Sequence, residues 1–402
     1  MARTCQVVAE LQGISVEIYS HQREFIDECC RMQQCVRVCF VGIPAHEKAS
    51  LTTLSDLPGT CTRQDAHTNV LKAFLLGQSA SVLRTNAQPD LVNQLLLRSR
   101  RPPELEQTPD MLLSNLRPCN DLQQRALELL LERPVSLVQG PPGTGKSTSI
   151  LWGIEVLLQL QRRQHPQNAM KKHQILVCAP SNKAVDSLLL HLLNHSTIAE
   201  RYHVLRICSR AIEQKDQPDY RRAFGNKAFG TYEVPAQIKK KGLVLHDRVW
   251  DPAVYSNVVS LGQYLRGEAS KTQQGDKGTR RFEEKHRKEI AAFKHHLAEA
   301  MQEEVRKAHL VFGTLDSIAS HSAMRGARFG TVIIDEASQG TEPETVAAVV
   351  DRALNRVSLF GDAKQLGPVI TQQNLFPHFK RMLSESYFAC RLSSDSIPSV
   401  LL

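Results

Sequence analysis

Residues 140–147 read Gly140-Pro141-Pro142-Gly143-Thr144-Gly145-Lys146-Ser147, one residue after the apolar run Val135–Val138. The stretch fits the pattern Gly-x4-Gly-Lys-Ser/Thr of a phosphate-binding loop, and the apolar run predicts a buried strand before it. Glycines let backbone N–H groups approach phosphates, Lys146 supplies positive charge, and the Ser147 hydroxyl can bind magnesium at a helix N-terminus. The loop therefore predicts a nucleoside triphosphate site, since a plain Gly/Pro turn needs no Lys-Ser pair at this offset.

A second motif lies where the β-branched run Thr331–Ile334 ends in Asp335 and Glu336. The carboxyl end of a parallel strand would bring both acids beside the phosphates. We expect Asp335 to hold magnesium through its coordination shell, and Glu336 to orient and deprotonate the attacking water. The alternative for this pair is an acidic turn at the protein surface.

A third apolar run, Val357–Phe360, leads into Gly361-Asp362-Ala363-Lys364-Gln365. The glycine lets the backbone turn at the strand end, and Asp362 can bond the neighbouring loop. The Gln365 amide can sense a γ-phosphate without adding charge. With this third motif, the chain resembles superfamily 1 helicases rather than ring-forming ATPases.

Longer stretches narrow the resemblance to the up-frameshift-like branch, which includes the nonsense-mediated-decay helicase. The matching segments are Asn120–Ala126, Ile175–Asp186 and Ser338–Glu344. The first is similar to the branch's adenine-reading motif, with Gln123 as its glutamine. The second is similar to motif Ia, and the third continues the box that begins at Asp335. The resemblance covers residues 118–210 and 305–370 well and the remainder only loosely.

The resemblance implies ATP and Mg²⁺ as cofactors and a helicase that hydrolyses ATP. The implied nucleotide-binding residues are Gln123, Gly140, Pro141, Pro142, Gly143, Thr144, Gly145, Lys146, Ser147 and Thr148. The implied catalytic residues are Lys146, Asp335, Glu336 and Gln365, with Ser147 and Asp335 on the metal. From the loop pattern, the Lys146 ammonium is expected to sit in solvent until phosphate arrives.

Two further segments predict contacts with single-stranded nucleic acid. Pro180, Ser181 and Asn182 follow the strand of motif Ia and can offer hydroxyl, amide and N–H donors to phosphates without reading bases. The run His309–Gly313 is similar to motif Ic, whose terminal Thr314 would contact the backbone of the tracked strand. The alternative is that Thr314 caps the following helix. RNA and DNA stay open as partners, because backbone contacts carry no base information.

Composition agrees with a polyanionic partner and argues against a membrane protein. The chain has 50 Lys and Arg against 41 Asp and Glu, a net charge of +9 and 42% hydrophobic residues. No apolar run approaches the length of a membrane span, and no signal sequence is evident. We therefore predict a soluble intracellular protein of the cytoplasm or nucleus, with no membrane partner.

The ten cysteines of the chain predict reduced core residues rather than a disulfide framework. Cys178 and Cys208, for example, lie in or beside predicted strands. The group Cys29, Cys30, Cys35 and Cys39 has the residue type of a zinc site, but it lacks a Cys-x2-Cys pair. Buried cysteines are the preferred interpretation there.

The fold class predicted is α/β, a doubly wound parallel sheet of the RecA-like P-loop type with helices on both faces. Strands are predicted at 135–139, 175–179, 203–207, 309–313, 331–335 and 356–360. Residues 1–103 are predicted to form an N-terminal α+β accessory region, which a basic, proline-containing joint separates from residues 104–402. An insertion at 211–308 interrupts this second domain as a helical stalk.

Within the insertion, two stretches carry definite expectations. The polar stretch Arg266–Lys277 is expected to be disordered. The stretch Phe282–Lys307 has apolar residues at three- and four-residue spacing and predicts one amphipathic helix. Such a helix would serve as the stalk of the helicase branch, or simply as a packing helix.

The resemblance also implies a second RecA-like domain, whose arginines complete the ATP site across a cleft. The sequence ends at Leu402 before any such segment. One reading is the ATP-binding motor half of an RNA or DNA helicase, with the second half missing or supplied by a separate chain. The alternative is a truncated, non-motor module that binds nucleotide and nucleic acid without unwinding.

Overall fold

The computed structural model describes residues 70, 71, 73–75, 118–164, 174–209, 232–271, 276–350, 352–370, 383–394 and 397–402. All of them belong to the second of two compact units of the chain, Ala45–Leu402. The cysteine group at residues 29–39, the joint at residues 98–103 and most of the accessory region lie outside the described residues.

A seven-stranded parallel sheet forms the centre of this unit, with the strand order β3-β4-β2-β5-β6-β1-β7. Its strands are β1 (Val135–Gln139), β2 (Gln174–Ala179), β3 (Val204–Ile207), β4 (Leu310–Thr314), β5 (Phe329–Ile334), β6 (Arg356–Gly361) and β7 (Ser399–Leu401). The predicted doubly wound parallel sheet is confirmed, and six strands lie within two residues of their predicted bounds. Strand β7 was not predicted, because three residues with partly exposed side chains carry almost no periodic signal.

The sheet is buried on both faces, as parallel sheets require. Successive side chains of a strand point to opposite faces, so neighbouring residues join different cores. Leu137, Leu176 and Leu359 belong to one core. Val138, Val177 and Phe360 belong to the other. The near-continuous apolar runs of the sequence follow from this two-sided burial.

Helices cover both faces. They are α1 (Asp121–Glu132), α2 (Lys146–Gln164), α3 (Asn182–His195), α4 (Ile198–Arg201), α5 (Ala236–Lys240), α6 (Leu245–Val249), α7 (Ser256–Ser270), α8 (Asp276–Lys285), α9 (Arg287–Lys307), α10 (Leu315–Ser320), α11 (Glu342–Val349) and α12 (Tyr387–Ser393). Two helices begin with a capping box, Asn120 with Gln123 at α1 and Thr341 with Glu344 at α11. The boxes fix these helix starts because they satisfy N–H groups that have no partner within the helix.

The insertion differs from the sequence expectation in two places. The helix predicted over Phe282–Lys307 is two helices, α8 and α9, which are interrupted at His286. His286 is buried, and its ring contacts those of Phe282 and Tyr264. The apolar spacing of the sequence continues through residue 286, and so it does not predict an interruption there. The interruption coincides with the packing of the buried His286 ring.

The predicted disorder of Arg266–Lys277 was wrong where the structure describes it. Residues 266–270 lie in α7, and α8 begins at Asp276, while residues 272–275 lie outside the described residues. The backbone of α7 packs closely at Gly262, where an added Cβ would lie 2.6 Å from the Trp250 ring. Local polarity does not report such packing, and for this reason the expectation of disorder was wrong.

Most of the apolar residues of the described ranges enter these two cores. Cys178 and Cys208 are buried free thiols, and burial raises the pKa of Cys178 to about 12. Within the ranges that the structure describes, no helix is both long enough and apolar enough to cross a membrane.

Candidate nucleotide and nucleic-acid site

The strand register brings the three nucleotide motifs to one edge of the sheet. Gln139 at the end of β1 pairs with Gly361 at the end of β6. The Gly140 N–H donates to the Gly361 carbonyl at 3.0 Å, and the Asp335 N–H donates to the Cys178 carbonyl at 2.8 Å. The loops after β1, β5 and β6 therefore leave the carboxyl edge side by side, where open α/β sheets bind ligands.

The loop at residues 140–147 has the backbone of a phosphate cradle. Gly143 and Gly145 have φ values of 82° and 95°, in the left-handed region that favours glycine. The Thr144 hydroxyl donates to the Pro141 carbonyl at 2.8 Å and closes the loop. Helix α2 starts at Lys146, so the first N–H groups of this 19-residue helix face the loop without helical partners.

Lys146 is buried, which corrects the expectation of an ammonium in solvent. Its side chain is 7% exposed. The ammonium donates to the Gly140 carbonyl at 2.7 Å and to the Pro141 carbonyl at 3.4 Å. These partners carry no formal charge, and an anion would complete the environment of a buried cation. The loop therefore fits the phosphates of a nucleotide.

Gln123 is fully engaged inside the protein. Its amide oxygen accepts from the Asn120 N–H at 3.0 Å, and its amide nitrogen donates to the Thr144 carbonyl at 3.0 Å. The side chain thus joins the start of α1 to the phosphate-binding loop. Recognition of adenine by Gln123 stays a prediction. The geometry adds a second role, in which Gln123 supports the phosphate-binding loop.

We expect Gly145→Ala to damage the loop much more than Gly143→Ala. A Cβ at position 145 would lie 2.0 Å from the Gln123 amide nitrogen, whereas a Cβ at position 143 meets nothing within 4 Å. Gly143→Ala adds only the left-handed backbone strain of about 1–2 kcal/mol. Titration with a fluorescent ATP analogue should show a loss of affinity of about ten-fold or more for Gly145→Ala, because the Gln123 amide must give up its bond to the Thr144 carbonyl and the left-handed backbone strain at position 145 is added to this.

The double variant Gly145→Ala with Gln123→Ala removes the clash. Because Gln123→Ala alone also removes the support of the loop, the quantity to compare is the affinity lost through Gly145→Ala in each background, which should be smaller in the Gln123→Ala background. Equal affinities for the two single glycine variants would show that contact with Gln123 does not shape the loop.

Asp335 is buried, at 5% exposure, directly after β5. Burial and, to a smaller extent, the negative charge of Glu336 raise the pKa of this carboxyl to about 6, against the opposing effects of the Glu336 N–H and the Lys146 charge. A cation beside Asp335 would favour its ionised form. Ser147, in the first turn of α2, could supply a second oxygen. One carboxylate and one hydroxyl suit Mg²⁺, which keeps water and phosphate ligands.

Glu336 has a strained backbone, with φ 49°, and among the described residues no other non-glycine residue has a positive φ. Gln339 holds it, since the Gln339 N–H donates to the Glu336 carbonyl at 2.9 Å and the Gln339 amide donates to the Glu336 carboxylate at 3.3 Å. Strain of this kind persists where surrounding contacts enforce it. The Glu336 backbone is therefore held at the strand end beside Asp335, and its carboxylate accepts one exposed hydrogen bond from Gln339.

The loop after β6 is linked to the loop after β5. The buried Asp362 donates its N–H to the Ser338 hydroxyl at 3.3 Å. Its carboxylate accepts from the Lys364 N–H at 3.0 Å and from the Gln365 amide at 3.1 Å. The Gln365 side chain is thus oriented by Asp362. A change at one loop would reach the other through Ser338.

The predicted nucleic-acid residues lie at the ends of two adjacent strands of the same edge, since Ala179 pairs with Thr314. The Ser181 hydroxyl accepts from the Ala184 N–H at 3.1 Å and caps α3, where Asn182 is the first residue. Pro180 and Asn182 are partly exposed, and Ser181 is exposed.

Thr314 adopts the capping alternative. Its hydroxyl accepts from the Ser317 N–H at 3.1 Å, and its side chain is 6% exposed. A buried hydroxyl that is engaged in a cap has little surface to offer a ligand. A nucleic-acid contact by Thr314 stays a prediction.

Comparison with known proteins agrees with this arrangement of motifs. The profile of a family described as an AAA domain matches residues 118–373. The ATP-dependent helicase upf1 of Schizosaccharomyces pombe is 30% identical over 271 residues, which are 66% of this chain and 24% of that protein. The chain belongs to this AAA-domain family, in the up-frameshift-like branch of superfamily 1 helicases.

Other relatives of this helicase branch are also similar to the chain. The Regulator of nonsense transcripts 1 homolog of Drosophila melanogaster is 28% identical over 77% of this chain and 22% of its own length. The Probable helicase senataxin of Homo sapiens is 26% identical over 70% of this chain and 12% of its own length. The chain therefore spans about a quarter or less of these curated relatives.

Three residues of this helicase domain acquire a role that sequence reasoning did not assign. Gln339 supports Glu336, Ser338 joins the loops after β5 and β6, and Arg206 contacts the start of α3. Ser338 and Gln339 lie inside a segment that the family resemblance had singled out. Arg206 carried no signal, because one arginine in a short apolar strand has no periodic pattern.

Proposed function

We propose that this chain is the ATP-binding motor half of an ATP-dependent RNA or DNA helicase, in which hydrolysis is coupled to translocation on a single strand. The observation that supports this proposal most is that five loops lie together at one edge of the sheet. Three of them, after β1, β5 and β6, carry the nucleotide motifs, and two, after β2 and β4, carry the nucleic-acid motifs. Because the five strands are contiguous in the sheet, a change at the nucleotide loops can reach the nucleic-acid loops directly.

Each nucleotide residue has a chemical task in this proposal. Lys146 neutralises phosphate charge, and Ser147 with Asp335 would hold Mg²⁺, which supplies further charge neutralisation when bound. Glu336 orients a water molecule and accepts its proton, which suits a carboxylate at the strand end that accepts a hydrogen bond from Gln339. Gln365 reports the state of the phosphates without adding charge.

The nucleic-acid residues would contact backbone phosphates. Ser181 and Asn182 offer N–H, hydroxyl and amide groups at the start of a 14-residue helix. Donors of this kind position a strand without reading its bases. The proposed activity is therefore independent of sequence, with either RNA or DNA as the track.

Binding of labelled 20-nucleotide strands, followed by fluorescence anisotropy, tests this proposal. We expect oligo(U), oligo(A) and oligo(dT) to bind with affinities that differ little between base compositions. Affinity should fall with salt, with a slope of about −0.7 for each phosphate neutralised by a cationic side chain. A blunt duplex should bind more weakly, because the hydrogen-bond donors contact the phosphate backbone of one single strand.

The same preparation distinguishes a motor from a binding module. A motor domain should hydrolyse ATP faster when single strand is added, in the presence of a second RecA-like domain supplied in trans. Binding of both ligands without stimulated hydrolysis would support the non-motor module. No binding of single strands would rule out both readings of the nucleic-acid loops.

A further inference from the structure

Arg206 is a fully buried cation on the sheet, at 0% exposure in strand β3. Its guanidinium donates through Nε to Asp186 at 2.6 Å and through Nη2 to the Asn182 amide oxygen at 2.9 Å. A third bond joins Nη1 to the Ile207 carbonyl at 2.5 Å. A planar guanidinium can donate to all three partners at once, whereas a lysine ammonium lacks this fixed arrangement of donors. Arg206 thereby connects the sheet to the first turn of α3.

The contact with Asn182 fixes the orientation of that amide. A guanidinium has donors and no acceptor, so the amide group facing Arg206 must be the oxygen. The Asn182 nitrogen, with two N–H donors, is then directed away from Arg206 on a partly exposed residue. An amide held in this orientation presents donors, which are what a phosphate oxygen requires.

Tyr232, from the insertion, completes the network. Its hydroxyl donates to the second oxygen of the Asp186 carboxylate, whose first oxygen accepts from Arg206. Burial and this hydrogen bond both raise the pKa of Tyr232, so the phenol keeps its proton at neutral pH. The Arg206 N–H also donates to the Leu243 carbonyl at 2.7 Å. Insertion residues therefore hold the side chain and the backbone of Arg206.

We propose that Arg206 is a positioning residue for single-strand binding, which holds Asn182 with its amide donors directed to a backbone phosphate. Asp186 and Tyr232 fix the guanidinium that does this, so the insertion contributes to the single-strand site through Tyr232. The inference rests on the proposed function, because it assigns a phosphate contact to Asn182. Beyond the proposed function, the inference assigns to Arg206, Asp186 and Tyr232 the orientation of Asn182 toward the phosphate.

A double-variant comparison of Arg206→Lys and Asn182→Ala tests the proposal, with binding of labelled oligo(U) as the readout. Arg206→Lys keeps the charge opposite Asp186 but loses the fork. We expect about three- to ten-fold weaker strand binding, the usual effect of one hydrogen bond. In the Asn182→Ala background, Arg206→Lys should have no further effect. Affinity for a fluorescent ATP analogue and the slope of affinity against salt should stay unchanged, since the net charge is the same.

The outcomes separate this inference from the proposed function. If Asn182→Ala leaves strand binding unchanged, the proposed phosphate contact itself is wrong, and the inference falls with it. If Asn182→Ala weakens binding while Arg206→Lys has no effect, or has the same effect in both backgrounds, Arg206 is structural and the inference alone is overturned.

Tyr232→Phe provides a second route if Arg206→Lys does not fold, since it removes one hydroxyl from a half-buried side chain. It should weaken strand binding by about two-fold or more in the wild-type background, from the loss of one hydrogen bond, and should have no effect in the Asn182→Ala background. An equal loss in both backgrounds, or none in either, would count against the positioning role.

Discussion

Replacing Lys146 by alanine is expected to weaken the binding of Mg²⁺-ATP at least about 100-fold, from the loss of charge-assisted hydrogen bonds to phosphate. The ammonium is already buried at the loop, where it is bonded to the Gly140 and Pro141 carbonyls. Removing it should also lower the free energy of unfolding by about 1 kcal/mol, because those two bonds are lost. Titration with a fluorescent ATP analogue and thermal unfolding measure the two effects.

Lys364→Ala is the matched control for this result. Lys364 is exposed and lies in the loop after β6, at the same edge of the sheet. Its removal takes away the same charge without touching the loop at residues 140–147, so ATP affinity should change little. An equal loss in the two variants would indicate a general charge effect. An unchanged affinity in Lys146→Ala would reject the phosphate role.

Glu336→Gln should leave ATP binding intact and lower ATP hydrolysis by about 10²–10⁴-fold, the range for loss of a general base. Glutamine keeps the size of the side chain and tolerates the same backbone, so the loop after β5 should hold its shape. The amide cannot accept the proton of the attacking water. Phosphate release in a single turnover, with single strand and with a second RecA-like domain supplied in trans, measures the effect.

Glu342→Gln is the control, because Glu342 is an exposed carboxylate in the first turn of α11 on the same chain segment. Its hydrolysis rate should equal that of the unmodified protein. Unchanged hydrolysis in Glu336→Gln would show that another residue acts as the general base. Lost ATP binding in that variant would show a structural rather than a chemical role for Glu336.

The loop at residues 140–147 and the buried strands were predictable because both are local patterns. A glycine-rich turn before a helix and runs of apolar residues depend on neighbours in sequence. The strand β7 and the interruption of the stalk helix at His286 were not predictable. Both depend on residues far along the chain, as in the pairing of Val138 with Val400.

The same distinction between predictable and unpredictable features applies to the candidate site. The residue types of the nucleotide motifs were predictable from the sequence, because phosphate, magnesium and water require a cation, carboxylates and an amide in a known order. The predicted environment of Lys146 was wrong, since the side chain was expected in solvent and is buried. Burial follows from how the loop folds over the side chain, which residue type alone does not fix.

The sequence by itself determined that this chain is a parallel α/β domain with the motifs of an up-frameshift-like helicase. Tertiary structure alone decided how those motifs are supported. Gln123 braces the phosphate-binding loop across 21 residues, and Arg206 orients Asn182 across 24. The physical reason is that periodicity and motif spacing are local, whereas strand order sets which distant side chains share the low-dielectric interior. Hydrogen bonds formed there fix the geometry of the exposed groups that meet the ligand.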